Sequence, residues 1–499
     1  MSKRKSGAVL TGVQLDRTAE EPLHRQLYRE VRNALLAGGL PAGARLPSSR
    51  TLAAELGVSR ATAVEAFEQL LAEGYLEGRV GSGTYVSATL PEELLRPARR
   101  SDPGTAPKGP RRGPSNRCRE QLPAAMDLRR LRESSAQGPR AFRLGIPALD
   151  AFPHALWGKL IARVGRDLQP WKGDPPHLAG YPPLREALAA YLVGARGLRC
   201  TPEQVIIVGG AQQGIGLAAQ VLLDAGDPVW LEDPAFSGLQ TTLGAAGVRL
   251  IPVPVDQEGL EVRAGRALAP DGRLVCVTPS HQFPLGVVMS LRRRLELLEW
   301  ARATDAWILE DDYDSEYRYS GRPLKALQGL DRDGRVLYAG TFSKVLFPSL
   351  RLGYLVVPAH LVDTFTAALL YTGVSVSLLE QAVVTAFMAE GHLERHLRRM
   401  RALYAARQSA LLDAASGHLA GKLELRPAEA GLHLVAELPP TTDDAALARL
   451  AAAEGVSVQP LSRYYRGATS QPGLLLGYAA ATEGEIARGV QALARVLAQ

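Results

Sequence analysis

Cysteine is scarce in this chain: three in 499 residues, at positions 118, 200 and 276, with no CxxC pair and no spacing that would gather metal ligands. That argues against a disulfide framework and a thiolate metal site, and fits free thiols in a reducing compartment. Apolar runs of 18 or more are also missing, so no transmembrane helix is expected. The basic start Met-Ser-Lys-Arg-Lys is not followed by the apolar stretch or small-residue cleavage site of a secretory signal, and the expectation is a cytoplasmic protein without a membrane partner. No internal repeat is visible. What is abundant is apolar material, 46% of residues, enough for a large core. The length exceeds that of one ordinary domain.

Charge is unevenly spread. Residues 1–100 carry a net +3, residues 101–140 a net +5, and the remainder a net −1. The positive excess in the first 140 residues points to a polyanionic partner for that part, with a solvated basic tail as the plainer alternative. Three zones follow from composition. Residues 15–87 are compact and patterned. Residues 88–140 are rich in Pro, Gly, Ser and Arg and read as a linker. Residues 141–499 alternate helical segments with short β-branched runs at 205–208, 229–231, 274–277, 307–309 and 336–338, the rhythm of βα units in an α/β fold with a parallel-rich sheet. The last hundred residues shift to helix (387–415) and then short strands (432–438 and 473–478), as in a smaller α+β subdomain.

In the first zone, Leu23, Leu27, Val31, Ala34 and Leu35 fall at helical spacing within 22–37. Ser48 or Ser49 is placed to cap a second helix ending at Leu56, and Ser59 a third, from Arg60 to Glu73, with Ala63, Phe67, Leu70 and Leu71 inward. This helix-turn-helix spacing fits a DNA-binding motif. Two short strands with a glycine-rich tip, Gly78-Arg-Val-Gly-Ser-Gly-Thr-Tyr-Val86, would form a wing whose backbone approaches a phosphate or groove wall closely.

The stretch Gly43-Ala-Arg-Leu-Pro-Ser-Ser-Arg-Thr-Leu-Ala-Ala-Glu-Leu-Gly-Val-Ser-Arg-Ala-Thr62 and the tip Gly81-Ser-Gly-Thr-Tyr-Val86 closely resemble the GntR winged-helix family. The resemblance implies double-stranded operator DNA as partner. Arg50, Arg60 and Thr62 would contact it, with Ser59 and Arg79 beside them and the Gly81 backbone in the minor groove. The Arg60 fork suits a guanine edge. Val64 stands where some GntR proteins place a further arginine.

In the last zone, five separated segments bear on one chemistry. Ala339-Gly-Thr-Phe-Ser-Lys344 is followed seven residues later by Arg351. An amine for a Schiff base and a cation for a phosphate are what an aldehyde cofactor with a phosphate tail requires. Gly209-Gly-Ala-Gln-Gln213 follows one strand and opens a helix, whose first amides suit phosphate. Glu232-Asp-Pro-Ala-Phe236, Thr278-Pro-Ser-His-Gln-Phe-Pro-Leu-Gly286 and Glu310-Asp-Asp-Tyr-Asp-Ser-Glu-Tyr317 each follow another strand. Together with Gly180-Tyr-Pro-Pro-Leu-Arg-Glu-Ala-Leu188, they resemble the fold-type I pyridoxal-phosphate enzymes, the aspartate aminotransferase superfamily, over about 350 residues.

That resemblance implies pyridoxal 5'-phosphate as cofactor. Lys344 would form the Schiff base, Asp311 would pair with the pyridine nitrogen, and Tyr313 would bond the ring hydroxyl. Phe236 would stack on the ring. Thr341, Arg351 and the amides of Ala211 and Gln212 would hold the phosphate. Asp312, Asp314 and Glu316 are expected to be capping or surface groups. Two departures stand out. Phe283-Pro-Leu-Gly286 replaces the usual Asn-Pro-x-Gly, leaving His281 or Gln282 to stand in for the asparagine. Leu475 falls where aminotransferases carry the arginine for a substrate carboxylate, and Arg463 and Arg466 are the nearby candidates to replace it.

A winged helix, a basic linker and an aminotransferase-like domain in one chain resemble the MocR subfamily of GntR regulators. The implied protein is a homodimeric, pyridoxal-phosphate-dependent transcription factor. Its large domain would sense a small-molecule effector, an amino compound or pyridoxal phosphate itself, with little or no turnover. The alternative is a true aminotransferase carrying a DNA-binding appendage.

Overall fold

The computed structural model describes residues 13, 15–19, 21–79, 82–88, 141–167, 178–319, 325–373, 375–467 and 470–498. The chain divides into two compact units, Met1–Gly113 and Pro114–Gln499. Most of the expected linker and Gly81 at the wing tip lie outside the described residues.

The described residues of the first unit form three helices, α1 (Leu23–Leu36), α2 (Ser49–Leu56) and α3 (Arg60–Ala72), and a hairpin of β1 (Leu76–Arg79) and β2 (Gly83–Val86). Leu27, Val31 and Leu35 of α1 meet Leu52 of α2 and Ala63, Phe67 and Leu70 of α3 in one core. Leu23, Ala34 and Leu71 are only half buried. Both helix starts of the turn motif are capped by serine: Ser48 Oγ accepts from the Thr51 amide at 3.2 Å and Ser59 Oγ from the Thr62 amide at 3.1 Å. Each cap satisfies an amide that has no partner inside its helix. The hairpin is antiparallel, Leu76 facing Val86 and Arg79 facing Gly83.

The second unit is built on an eight-stranded sheet of β3 (Val205–Val208), β4 (Pro228–Asp233), β5 (Arg249–Asp256), β6 (Gly259–Leu260), β7 (Leu274–Val277), β8 (Trp307–Asp312), β9 (Val336–Thr341) and β10 (Gly353–Val356). Its order is β3-β10-β9-β8-β7-β4-β5-β6, parallel from β9 through β5, with β10 and β6 reversed. Val205-Ile-Ile-Val208 and Leu274-Val-Cys-Val277 are buried throughout, the continuous apolar reading of strands covered on both faces. Cys276 is a buried free thiol and Cys200 a half-buried one, whereas Cys118 lies outside the described residues.

A second, antiparallel sheet joins β11 (Glu424–Leu425), β12 (His433–Glu437), β13 (Gln459–Pro460) and β14 (Gly473–Gly477) in the order β11-β12-β14-β13. The helix expected at 387–415 is two helices, Leu378–Ala389 and His392–His418, broken at Gly391 with φ +69°. A side chain disfavours that backbone conformation, so glycine ends one helix and starts the next. The final helix, Glu483–Val496, opens on a reciprocal pair of cap bonds between Thr482 and Glu485.

Because β10 runs antiparallel to both β3 and β9, β3 points the same way as the parallel set. The loops after β3, β4, β7, β8 and β9 therefore leave from one edge of the sheet, where α/β proteins place ligands.

Candidate functional site

At that edge lies a cavity of about 660 Å³. Lys344, Asp311, Tyr313, Phe236, Thr341, Arg351, Ala211 and Gln212 all line it, so eight side chains or amides expected from four of the five separated segments face one space.

Lys344 Nζ donates to the Gly145 carbonyl at 2.7 Å, across 199 positions of sequence. Burial lowers the Lys344 pKa against the opposing pull of Asp314 and Asp311. A buried lysine with a weakened hold on its proton is a better nucleophile toward a carbonyl carbon. Gly145 has φ +68°, and a Cβ there would lie 2.5 Å from Lys344 Nζ. Gly145→Ala is therefore expected to displace the amine and slow its reaction with added pyridoxal phosphate. The backbone strain should cost about 1 kcal/mol in a denaturant melt. Unchanged rates by absorbance would show that the carbonyl does not position the amine.

Asp311, at the end of β8, is buried, and its Oδ1 has no hydrogen-bond partner among the described residues. Burial raises its pKa to about 7, with Asp312 and Asp314 adding and Lys344 opposing. A buried carboxylate oxygen without a donor is costly. The donor that fits is the protonated nitrogen of a heteroaromatic ring. The amides of Ala211 and Gln212 open the helix Ala211–Leu222, whose N-cap Gly210 supplies no side-chain cap, and Arg351 is exposed at φ +50° with no ion pair among the described residues. First-turn amides and a guanidinium are the donors a phosphate takes. Phe236 is 40% exposed and meets Phe283 edge-to-face at 5.7 Å, which leaves its face open to a flat ring. The donor set thus fits pyridoxal phosphate at its ring nitrogen, ring face, aldehyde and phosphate.

His281 and Gln282 are not among the cavity-lining residues. The Gln282 amide donates to Pro234 and Phe283 carbonyls at 2.8 Å each and to Glu232 at 3.3 Å, so it has no reach left for a ligand. His281 acts one layer back: its Nδ1 lies 3.0 Å from Asp314 Oδ2 and 2.8 Å from Tyr313 Oη. Beside an acceptor-only carboxylate, Nδ1 carries the proton. Tyr313 Oη then shares that one N–H with Asp314 as a second acceptor, which leaves its own O–H to donate into the cavity. Asp314 is thus a buried partner, not a surface group. Asp312 caps the following turn as expected, accepting from the Ser315 amide at 3.3 Å and hydroxyl at 2.8 Å, but it is buried too, bonded to Arg196 Nη2 at 2.7 Å, and Glu316 is half buried. The acidic run reads as polar by composition, but β8 and the turn that follows it carry it into the interior.

Leu475 is fully buried against Leu461 and Tyr464. Arg463 and Arg466 are exposed and do not line the cavity, so neither replaces the missing arginine here. Residues to which the sequence reading gave no role also line it: Gly145, Glu232, Thr278, Glu380 and His433. Glu232 is held up to about 7 by burial, with hydrogen bonds from Thr278 and Gln282 opposing. Burial pushes His433 down to about 4, and its Nε2 donates to the Pro284 carbonyl at 2.9 Å. A lone histidine in the apolar strand Leu432-His-Leu-Val-Ala436 was the available signal for it.

In the first unit, Arg60 is the first residue of α3 and Arg50 the second of α2. Both are exposed and form no ion pair among the described residues. Thr62 is half buried, its Oγ1 2.8 Å from Ser59 Oγ, so these two hydroxyls serve the helix start. Arg79 is exposed on β1 with its guanidinium 4.6 Å from the Tyr85 ring centre.

Residues 23–86 match the model of bacterial regulatory proteins of the gntR family, and residues 174–493 that of aminotransferase class I and II. The probable rhizopine catabolism regulatory protein MocR of Rhizobium meliloti is 43% identical, over 96% of this chain and 94% of its own. The pyridoxine biosynthesis transcriptional regulator PdxR of Corynebacterium glutamicum is 34% identical over 91% of each chain. Among solved structures, kynurenine aminotransferase from Pyrococcus horikoshii superposes with a TM-score of 0.69 at 26% identity, covering 76% of this chain and 96% of its own. The chain belongs to the MocR subfamily of GntR transcriptional regulators, in which a DNA-binding winged helix is joined to a pyridoxal-phosphate domain of the aminotransferase fold.

Proposed function

We propose that this regulator uses its aminotransferase-like cavity to sense a small molecule and thereby shifts operator binding, with negligible turnover. The observation that carries this reading is the cavity's cation inventory. Among the described lining residues, Lys344 and Arg351 are the only Lys or Arg side chains, and His433 is held neutral at ordinary pH by burial. Lys344 and Arg351 would both be engaged in holding the cofactor, leaving no guanidinium to fork onto a substrate α-carboxylate.

In this reading Lys344 would hold the cofactor covalently, Asp311 would bond its ring nitrogen, and Tyr313, oriented by His281, would donate to its ring hydroxyl. Phe236 would cover the ring. Arg351, Thr341 and the Ala211 and Gln212 amides would take the phosphate. When bound, the cofactor supplies an electrophilic carbon conjugated to an electron-withdrawing ring. Ligands that need no carboxylate clamp, such as an ω-amino compound, or pyridoxal phosphate itself, suit the site. A regulator named for pyridoxine biosynthesis among the relatives agrees with the second option. Such a ligand changes regulation only through unequal affinity for two arrangements of the protein. We place the protein in the cytoplasm as a homodimer, with residues 88–140 linking its two functional parts. No helix of the described residues is long and apolar enough to cross a membrane.

Steady-state assays over a panel of amino donors are expected to show turnover far below the ~1–10³ s⁻¹ of dedicated enzymes. Rapid keto-acid release would favour an aminotransferase with a DNA-binding appendage.

A further inference from the structure

We propose that a second cavity, behind the acidic loop and separate from the cofactor cavity, binds a small organic carboxylate. The space is about 350 Å³ and is bounded by the last turn of the helix Pro182–Arg196, by Ser280, by residues 315–318, and by Arg401 of the helix His392–His418. It shares no lining residue with the cofactor cavity. This proposal goes beyond the sensing role assigned to that first site.

Its walls carry three guanidinium groups, Arg196, Arg318 and Arg401, against one ionisable carboxyl, Glu316. Arg196 is committed: it is 5% exposed, bonded to Asp312 and to Ser280 Oγ at 2.8 Å. The other two have donors to spare. Arg318 reaches Glu429 through Nη2, while its Nε is buried without an acceptor. Arg401 spends Nε on the Glu316 carbonyl at 2.6 Å, and its remaining nitrogens have no hydrogen bond among the described residues. Glu316 forms no ion pair with either arginine among the described residues. Burial, with Asp312 adding and Arg196 opposing, raises its pKa to about 7, so near neutrality it is in part a donor too.

The surplus is thus in donors, and what is lacking is acceptor oxygen. Arg401 is exposed, but Arg318 Nε is buried, and a buried donor left unpaired costs free energy that a ligand oxygen would recover. A carboxylate matches an arginine fork in shape. The cavity is larger than a bare inorganic ion needs. Position gives the site a route to the first cavity. Ser280 adjoins His281, and Ser315 and Glu316 follow Asp314, so the wall of one cavity is the backing of the Tyr313–His281–Asp314 contact in the other.

Isothermal titration of the full-length, pyridoxal-phosphate-loaded protein with succinate tests this, because succinate has no amine to react with the cofactor. One-site binding is expected, weakened on the order of tenfold or more by Arg401→Ala through loss of a charged hydrogen bond. Gly194→Leu should weaken it similarly. Gly194 is exposed, with no atom within 4 Å of where its Cβ would stand, so a leucine there fills cavity space without disturbing the fold. Melting curves check that both variants are folded. Absence of heat at millimolar succinate, or equal affinity in the two folded variants, would overturn the site. Inorganic phosphate binding as tightly as succinate would overturn its assignment to carboxylates.

Discussion

Lys344→Ala is expected to leave the purified protein colourless and to abolish any borohydride-reducible adduct with pyridoxal phosphate. The effect should be complete rather than graded. Lys344 is the only lysine among the described cavity-lining residues, so no second amine stands ready to replace it. Its reactivity rests on burial, which weakens its hold on the proton, and on the Gly145 carbonyl that fixes Nζ at 2.7 Å. Alanine removes all of these at once. The Arg351 guanidinium, the helix amides at Ala211 and Gln212 and the Asp311 carboxyl remain, so reversible cofactor binding should persist at reduced affinity. Mass spectrometry after reduction distinguishes the two states: wild-type protein gains the cofactor mass and the variant does not. An adduct retained by the variant would sink the assignment of Lys344. The same protein in an operator-binding assay would show whether covalent attachment or mere occupancy drives the DNA-bound state.

Arg60→Ala is expected to cut affinity for the specific operator by on the order of 10- to 100-fold while sparing most salt-sensitive binding to random DNA. Arg60 opens α3, where the Ser59 cap fixes the first turn, and its side chain is exposed without an ionic partner among the described residues. Removing it should therefore cost the fold little. A guanidinium that reads a base edge contributes to discrimination, whereas one that meets only phosphate contributes evenly to all sequences. Footprinting across a salt series separates these outcomes. A protected region and specificity ratio unchanged from wild type would mean that α3 does not present Arg60 to the groove. Arg50, second in α2 and likewise exposed, offers the contrast: if it meets phosphate, its loss should weaken specific and random DNA alike and flatten the salt slope.

Much of the site was readable because its parts are short and contiguous. Ser59 announces α3 in one residue. The run from Thr341 to Arg351 places an amine and a guanidinium within a single loop. The errors have one common source. Asp312 and Asp314 look solvent-seeking by residue type, yet strand β8 carries Asp312 inward and the bend after it carries Asp314, where Arg196 and His281 wait from 116 and 33 positions away. Gln282 looked like a spare amide until the fold spent it on Pro234 and Phe283. The helix break at Gly391 was hidden because apolar spacing continues through it.

Sequence alone thus determined that this chain joins a DNA reader to a pyridoxal-phosphate domain, because capping residues, glycine-rich turns and the lysine–arginine spacing act over a few positions and carry their chemistry with them. Tertiary structure alone decided which groups surround those motifs: the Gly145 carbonyl on Lys344, the histidine behind Tyr313, the leucine cluster at Leu475, and the arginine-lined second cavity. Each of these depends on strand order and on partners tens to hundreds of residues apart, and hydrogen bonds and burial are properties of neighbours in space.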